Sequence, residues 1–174
     1  MNYARILYKD DLQRYGGKID IWSRLFLHAF RNVTTYKNGL KSLYYKIIFR
    51  IISRKHGMEI SSDVVIGKGL YIGHPYNVTI NPNASLGNNI NIHKGVTIGQ
   101  ENRGKRKGAP IIGDRVWIGV NSSIVGRIVI GDDVLIAPNS YVNCDVPSHS
   151  IVVGNPCVII HRENATDGYV NNIV

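Results

Sequence analysis

The sequence predicts an all-β, parallel β-helix preceded by an α-helical segment, and two observations carry this prediction. An aliphatic residue recurs at every sixth position through most of residues 60–142, and glycine, asparagine or aspartate follows it at fixed distances. The chain has 174 residues and is 44% hydrophobic, which suffices for one compact core and excludes a wholly disordered chain. No apolar run reaches the roughly 18 residues that span a bilayer, so an integral membrane protein is not expected.

Residues 1–58 are predicted to form a basic helical cap. They hold 12 Lys and Arg against 3 acidic residues, whereas residues 59–174 hold nine of each sign, so the whole net charge of +9 belongs to the first segment. One helix is predicted over residues 20–32 with Asp20 as its N-cap, and a second over 39–56 with Gly57 as its stop. The second helix carries an apolar stripe at helical spacing, formed by Leu40, Leu43, Tyr44, Ile47, Ile48, Ile51 and Ile52.

Two interpretations of this cap stay open. The helices cover the open end of the β-helix, or their basic amphipathic surface docks on anionic lipid at the inner membrane face. Nucleic acid is not an expected partner, because no recognised motif accompanies the charge.

The repeat runs in two blocks after the cap. The aliphatic positions are Ile60, Ile66, Ile72, Ile80, Leu86, Ile92 and Ile98, then Ile112, Ile118, Ile124, Ile130, Ile136 and Val142. A period of six fits neither a helix nor simple strand alternation, so it requires a short strand followed by a sharp corner. Three such units close one triangular coil, and stacked coils bury the aliphatic column.

Residue types suited to corners follow each aliphatic position. Three residues later stand, for example, Gly69, Asn83, Asn89, Asn121, Asp133 and Asn139. These residue types tolerate left-handed backbone angles, so they are predicted to turn the corners.

The stretches GLYIGHPYNVTINPNASLGNNINIHKGVTIG (69–99) and VPSHSIVVGNPCVIIHR (146–162) resemble the hexapeptide-repeat acyltransferases. The likeness is greatest to serine acetyltransferases and their relatives in capsule and exopolysaccharide gene sets. It implies a left-handed β-helix over residues 59–162 with a loop at 99–111, a C-terminal tail at 163–174, and a homotrimer with active sites between subunits.

His74 is the predicted catalytic residue. It lies where the six-residue rhythm slips by two, and the resemblance gives this position the general base that takes a proton from an acceptor hydroxyl. Glu59 lies fifteen residues upstream, where serine acetyltransferases usually carry Asp, and is expected to orient the imidazole. His93 is expected to be structural or to face the substrate.

The resemblance also implies acetyl-CoA as co-substrate. By position, its contacts are predicted at Gly99, Gln100, Lys105, Arg106, Gly119, Val120, Ala137 and Pro138. The basic loop 99–111 is interpreted as a mobile arm whose cations meet phosphates or an anionic acceptor, with a simply solvated loop as the alternative. Trp117 is expected to be an interface or packing residue, and no metal is expected.

The chain departs from the serine enzymes at the groups that hold the amino acid. Gly73, Gly108 and Ala109 stand where those enzymes carry Asp, Arg and His. The main expectation is therefore O-acetylation of a surface-polysaccharide sugar. Serine O-acetylation and a non-catalytic, membrane-recruited trimeric scaffold are the alternatives. Two cysteines without CxxC spacing, Cys144 and Cys157, fit a reduced, cytoplasmic compartment.

Overall fold

The computed structural model describes residues 2–174 and contains three helices followed by fifteen short strands. The helices are α1 (Tyr3–Arg14), α2 (Ile21–Thr35) and α3 (Gly39–Lys55). The strands are β1 (Glu59–Ile60), β2 (Val65–Ile66), β3 (Tyr71–Gly73), β4 (Thr79–Ile80), β5 (Ser85–Leu86), β6 (Asn91–His93), β7 (Thr97–Gly99), β8 (Ile111–Ile112), β9 (Trp117–Ile118), β10 (Ser123–Val125), β11 (Val129–Ile130), β12 (Val134–Ile136), β13 (Tyr141–Val142), β14 (Ser150–Val153) and β15 (Val158–His161). None of the helices among residues 2–174 has the length and hydrophobicity to cross a membrane.

The strands form three sheets that are the sides of a triangular, left-handed β-helix. Sheet A contains β1, β4, β7, β10 and β13, and sheet B contains β2, β5, β8 and β11. Sheet C contains β3, β6, β9, β12 and β14 in parallel, and β15 adds to it antiparallel. Aliphatic positions stack directly, as in the register Ile72, Ile92, Ile118 and Ile136. The predicted fold class is confirmed.

The core is the aliphatic column that the repeat predicts. All thirteen repeat positions are buried, and none is more than 8% exposed. A second buried column lies two residues before these positions and includes Leu70, Val78, Ile90, Val96, Val116 and Val134. This second column was not predicted, although its residues recur with the same six-residue period.

Most of the corner residues have the expected backbone. Asn89, Asn121, Asp133 and Asn139 have φ between 54° and 60°, and Gly69 has φ 72°. Asn83 does not adopt this conformation. Its backbone N–H instead donates to Asn81 Oδ1 at 2.9 Å, an Asx-type turn that needs no positive φ.

The helical segment differs from expectation in two ways. Asp20 caps α2 as predicted, accepting from the backbone N–H groups of Trp22 and Ser23, but α1 was not predicted. The second difference is the direction of the α3 stripe. Five of its seven members, Leu40, Leu43, Tyr44, Ile47 and Ile51, are exposed, and only Ile52 is buried. The other buried residues of α3 are Ser42, Phe49 and Ser53.

A buried ion pair fastens the helices to the first coil. Arg31 on α2 donates to both carboxylate oxygens of Asp11 on α1, at 2.7 and 2.8 Å. The same guanidinium donates to the carbonyl groups of Ile66 and Gly67, and Asp11 accepts from the Leu70 N–H at 2.8 Å. This network explains why α1 folds onto the β-helix without a strong apolar stripe.

Candidate active site

His74 stands directly after β3, on the edge where sheet C passes into sheet A. Its φ of 58° makes it the corner residue of the coil, and its side chain is exposed. The Tyr76 N–H donates to the His74 carbonyl at 2.7 Å, and the Asn77 N–H donates to the His56 carbonyl at 2.9 Å. The end of α3 therefore holds the irregular corner that presents the imidazole to solvent.

His93 lies on the next coil, beside the residue that precedes His74. It pairs in register with Gly73, and its ring fills the space of the missing side chain, because a Cβ at Gly73 would lie 2.5 Å from His93 Nδ1. Burial, and then the nearby charge of His74, lower the pKa of His93. Its Nε2 atom is buried and has no hydrogen-bond partner among residues 2–174. These surroundings favour the neutral form of the His93 imidazole.

Glu59 lies on β1 in sheet A, opposite Thr79, with its side chain exposed. It lines a cavity of 520 Å³ between sheet A and the C-terminal half of α3, together with Arg50 and Arg54. Within residues 2–174 no hydrogen bond or ion pair joins Glu59 to His74. The structure does not bring the two side chains into direct contact, so their pairing stays a prediction. Hydrogen bonds of this kind often tighten only when substrate binds.

The predicted acetyl-CoA contacts fall on two edges of sheet A. Gly119, Val120, Ala137 and Pro138 stack above His74 on the edge between sheets C and A, linked by the hydrogen bond from Asn139 N–H to the Val120 carbonyl. Gly119 has no room for a side chain, since a Cβ there would lie 2.6 Å from the Pro138 nitrogen.

The other four predicted contacts lie on the opposite edge of sheet A. Gly99 ends β7, and Gln100, Lys105 and Arg106 belong to the loop that follows. Within one chain, a single acetyl-CoA molecule can therefore contact both sets of residues only if it lies across sheet A. The outward residues of that sheet are largely polar: Glu59, Thr79, Thr97, Ser123 and Tyr141.

The basic loop is fastened at its base. Glu101 and Gly108 exchange two backbone hydrogen bonds of 2.9 and 3.0 Å, and the Arg127 N–H donates to the Arg106 carbonyl at 2.8 Å. Arg106 also pairs with Glu101 at 3.1 Å, so the loop cations without an ion-pair partner among residues 2–174 are Arg103, Lys105 and Lys107. The loop is therefore a turn that is closed at its base, and its interpretation as a mobile arm stays a prediction.

A cavity on sheet C, here called the aromatic cavity, was not predicted from the sequence. It has a volume of 240 Å³ and is lined by Arg14, Tyr15, Tyr71, Asn91, His93, Trp117, Tyr169, Asn171 and Asn172. The rings of His93 and Trp117 have centroids 4.8 Å apart, and those of Trp117 and Tyr169 lie 5.1 Å apart. Trp117 is a packing residue, as expected, and it also lines this cavity. Aromatic residues just before the buried positions of sheet C were the available signal.

The chain is similar to known proteins in both sequence and structure. Residues 109–144 match the family model of the bacterial transferase hexapeptide (six repeats). A serine acetyltransferase of Staphylococcus epidermidis is 36% identical over 154 residues, which cover 88% of this chain and 70% of the relative. The chain belongs to the hexapeptide-repeat acyltransferases, in their serine acetyltransferase-like branch.

Solved structures agree with this membership. Serine acetyltransferase of Neisseria gonorrhoeae in complex with serine superposes with a TM-score of 0.76 at 28% identity, covering 90% of this chain and 69% of that one. The soybean apoenzyme gives 0.77 at 27% identity, covering the same shares.

This acyltransferase uses acetyl-CoA as its donor, as the branch implies. The comparisons therefore give no support to the non-catalytic scaffold, and they favour the serine alternative over the sugar acceptor that was the main expectation. Among residues 2–174, no cluster of three or more His, Cys, Asp or Glu side chains is arranged to hold a metal ion.

Proposed function

We propose that this acyltransferase moves an acetyl group from acetyl-CoA to a hydroxyl, with His74 as the general base and L-serine as the first candidate acceptor. The observation that supports serine as the acceptor is the similarity, over 88% of the chain, to an enzyme that is named for this acceptor. His74 accepts the hydroxyl proton while the oxygen attacks the thioester carbon. The C–S bond then breaks, the CoA thiolate takes that proton from His74, and CoA leaves as the free thiol.

Neighbouring groups suit this role of His74. Burial lowers the pKa of His93 and so favours its neutral form, which does not oppose the positive charge that His74 gains in the transition state. Glu59 is proposed to orient the imidazole once the acceptor binds, since its carboxylate is exposed and is not engaged by another side chain among residues 2–174.

The 520 Å³ cavity supports an amino-acid acceptor. It combines the carboxylate of Glu59 with the guanidinium groups of Arg50 and Arg54, which suit an ammonium and a carboxylate respectively. These groups would replace the charged residues that are absent at Gly73, Gly108 and Ala109.

A sugar hydroxyl is the second candidate acceptor, and the aromatic cavity favours it. Tyr and Trp faces with polar tips suit the apolar face and hydroxyl rim of one sugar ring. A volume of 240 Å³ lies below the roughly 300 Å³ at which pockets for larger ligands begin, so one ring is the expected size.

A homotrimer with active sites between subunits is part of the proposal. The outward side of sheet B supports it, because the exposed apolar residues Val65, Ile111 and Val129 stand in one ladder there, interrupted by Ser85. The predicted donor contacts lie on opposite edges of sheet A. One edge of one subunit and the other edge of a neighbouring subunit can approach each other more closely than the two edges within one chain.

The test is release of CoA from acetyl-CoA with L-serine or a set of sugars as acceptor. His74→Ala should lower the rate by about 10²–10⁴-fold, whereas His161→Ala, at an exposed histidine on β15, should not. Equal rates for wild type and His74→Ala would refute the assigned base.

Two further variants separate the acceptors. Arg54→Gln should raise KM for serine, and Trp117→Ala should raise KM for a sugar. Turnover of serine alone, sensitive to Arg54→Gln, would reject the sugar candidate. Turnover of sugar alone, sensitive to Trp117→Ala, would reject serine.

A further inference from the structure

The outward surface of α3 carries a group of large apolar side chains that the fold leaves uncovered. Leu40, Leu43, Tyr44, Ile47 and Ile51 recur at helical spacing and are between 52% and 86% exposed. The inward surface of the same helix contains Ser42 and Ser53, whose hydroxyl groups are buried without a hydrogen-bond partner among residues 2–174. The helix therefore buries two serines while it exposes its most hydrophobic stripe. Contiguous apolar patches of this kind mark interaction sites.

Positive charge flanks this stripe on both sides. With 3.6 residues per turn, Lys41 lies on one side of the stripe, and Lys46 and Arg50 lie on the other. All three side chains belong to exposed residues, and Arg54 stands in line with the stripe one turn beyond Arg50. The result is an apolar band with one cation on one side and two on the other.

The charge pattern decides between the candidate occupants. Residues 21–58 contain neither Asp nor Glu, so a second copy of this helix laid against the first would bring cations against cations. An anionic lipid surface provides a partner for both parts of this helix. Its acyl layer takes up the apolar stripe, and its negative headgroups meet the flanking cations. Helices with this pattern lie in the plane of the interface, with the apolar side in the acyl boundary and the cations among the headgroups.

We propose that α3 docks this acyltransferase on an anionic membrane surface, with Leu40, Leu43, Tyr44, Ile47 and Ile51 inserted and Lys41 and Lys46 at the headgroups. The His74 edge is thereby held near the membrane, since the carbonyl of His56, directly after α3, accepts a hydrogen bond from the corner that carries His74. The docking does not depend on the identity of the acceptor.

Co-sedimentation of the full chain with vesicles tests the proposal. Vesicles of phosphatidylcholine mixed with phosphatidylglycerol should bind the wild type, and binding should weaken as salt is raised. Vesicles of phosphatidylcholine alone should bind much less. Ile47→Asn should lower binding to the anionic vesicles about ten-fold, because it removes one inserted apolar side chain. Lys41→Gln and Lys46→Gln should each lower it about five-fold at low salt.

Ile160→Asn is the matched control, because Ile160 on β15 is 50% exposed against 52% for Ile47. It should leave vesicle binding unchanged. Equal binding of wild type and Ile47→Asn, or no binding to anionic vesicles, would overturn the proposal. Size-exclusion chromatography with light scattering identifies the other occupant: a smaller oligomer for Ile47→Asn, without vesicle binding, would make this surface a contact between copies. CoA release with a soluble acceptor, measured on the same variants, reports separately on the proposed acetyl transfer.

Discussion

The β-helix and helix α3 use similar aliphatic residues in opposite directions. In the β-helix every repeat isoleucine points inward, whereas most of the isoleucine and leucine stripe of α3 points outward. A closed coil has one interior, so its period alone decides which residues are buried. A single helix can pack on either side, and α3 packs through Phe49, whose ring lies 5.5 Å from Phe26 and 5.9 Å from Phe30. Periodicity thus reports which residues share a surface, and the neighbouring element decides which surface is covered.

The same substitution in the two regions should give the largest contrast. Ile118→Asp places a charge in the fully buried column and should cost more than about 4 kcal/mol, enough to prevent folding. Ile47→Asp on α3 should change the free energy of unfolding by no more than about 0.5 kcal/mol. Chemical denaturation followed by circular dichroism measures both. A folded Ile118→Asp protein would break the register assigned here.

The joint between the two regions should give the next largest effect. Asp11→Ala leaves Arg31 buried without its partner and should destabilise the protein by about 3–5 kcal/mol. The double variant Asp11→Leu with Arg31→Met removes both charges and should recover much of the loss. If Asp11→Ala alone proves neutral, the ion pair does not fasten the helices to the first coil.

A smaller change tests how His93 is seated. Gly73→Ala adds a methyl group against the His93 ring and should cost about 1–3 kcal/mol, together with a raised acceptor KM. His93→Ala in the same protein should relieve the strain, so the two substitutions should be strongly non-additive in a double-mutant cycle. Simple additivity would mean that the two residues do not share that space.

The smallest effect concerns pH. The folded-state pKa of His93 lies below its ordinary value near 6.5, so the unfolded chain binds more protons just below that pH. The contribution of His93 to stability is therefore present above about pH 6.5 and declines as the pH falls through that value. His93→Leu should flatten this part of the stability profile, measured by denaturant titration at a series of pH values. An unchanged slope would show that His93 is not held neutral by its surroundings.

The fold was more predictable than the site, for reasons that particular residues show. The Ile72, Ile92, Ile118 stack follows from spacing, because in-register coils allow no other arrangement. The α1 helix was missed because its attachment depends on Asp11 and Arg14, polar residues that carry no hydrophobic period. The His74 corner was visible as a slip in the repeat.

The packing of His93 over Gly73 could not be read from one coil, since it joins residues twenty positions apart through side-chain volume. The aromatic cavity was missed for a similar reason. It draws Tyr15 from the C-cap of α1, Trp117 from β9 and Tyr169 from the C-terminal tail, and only the folded chain brings these three together.

The C-terminal tail returns to the beginning of the fold. Arg14 at the end of α1 donates to the Asn171 and Gly69 carbonyl groups at 2.8 Å, and Asn89 of the second coil donates to the Val174 carbonyl at 3.1 Å. Asp133 ties the start of the tail to the fourth coil through Thr166. A stack of coils that touched only their neighbours would fray from either end, whereas here the first coil cannot open without releasing the last segment of the chain. The amide protons of the first coil and of the C-terminal tail should therefore exchange with solvent in one cooperative unit. The β-helix should unfold as a whole rather than coil by coil from one end.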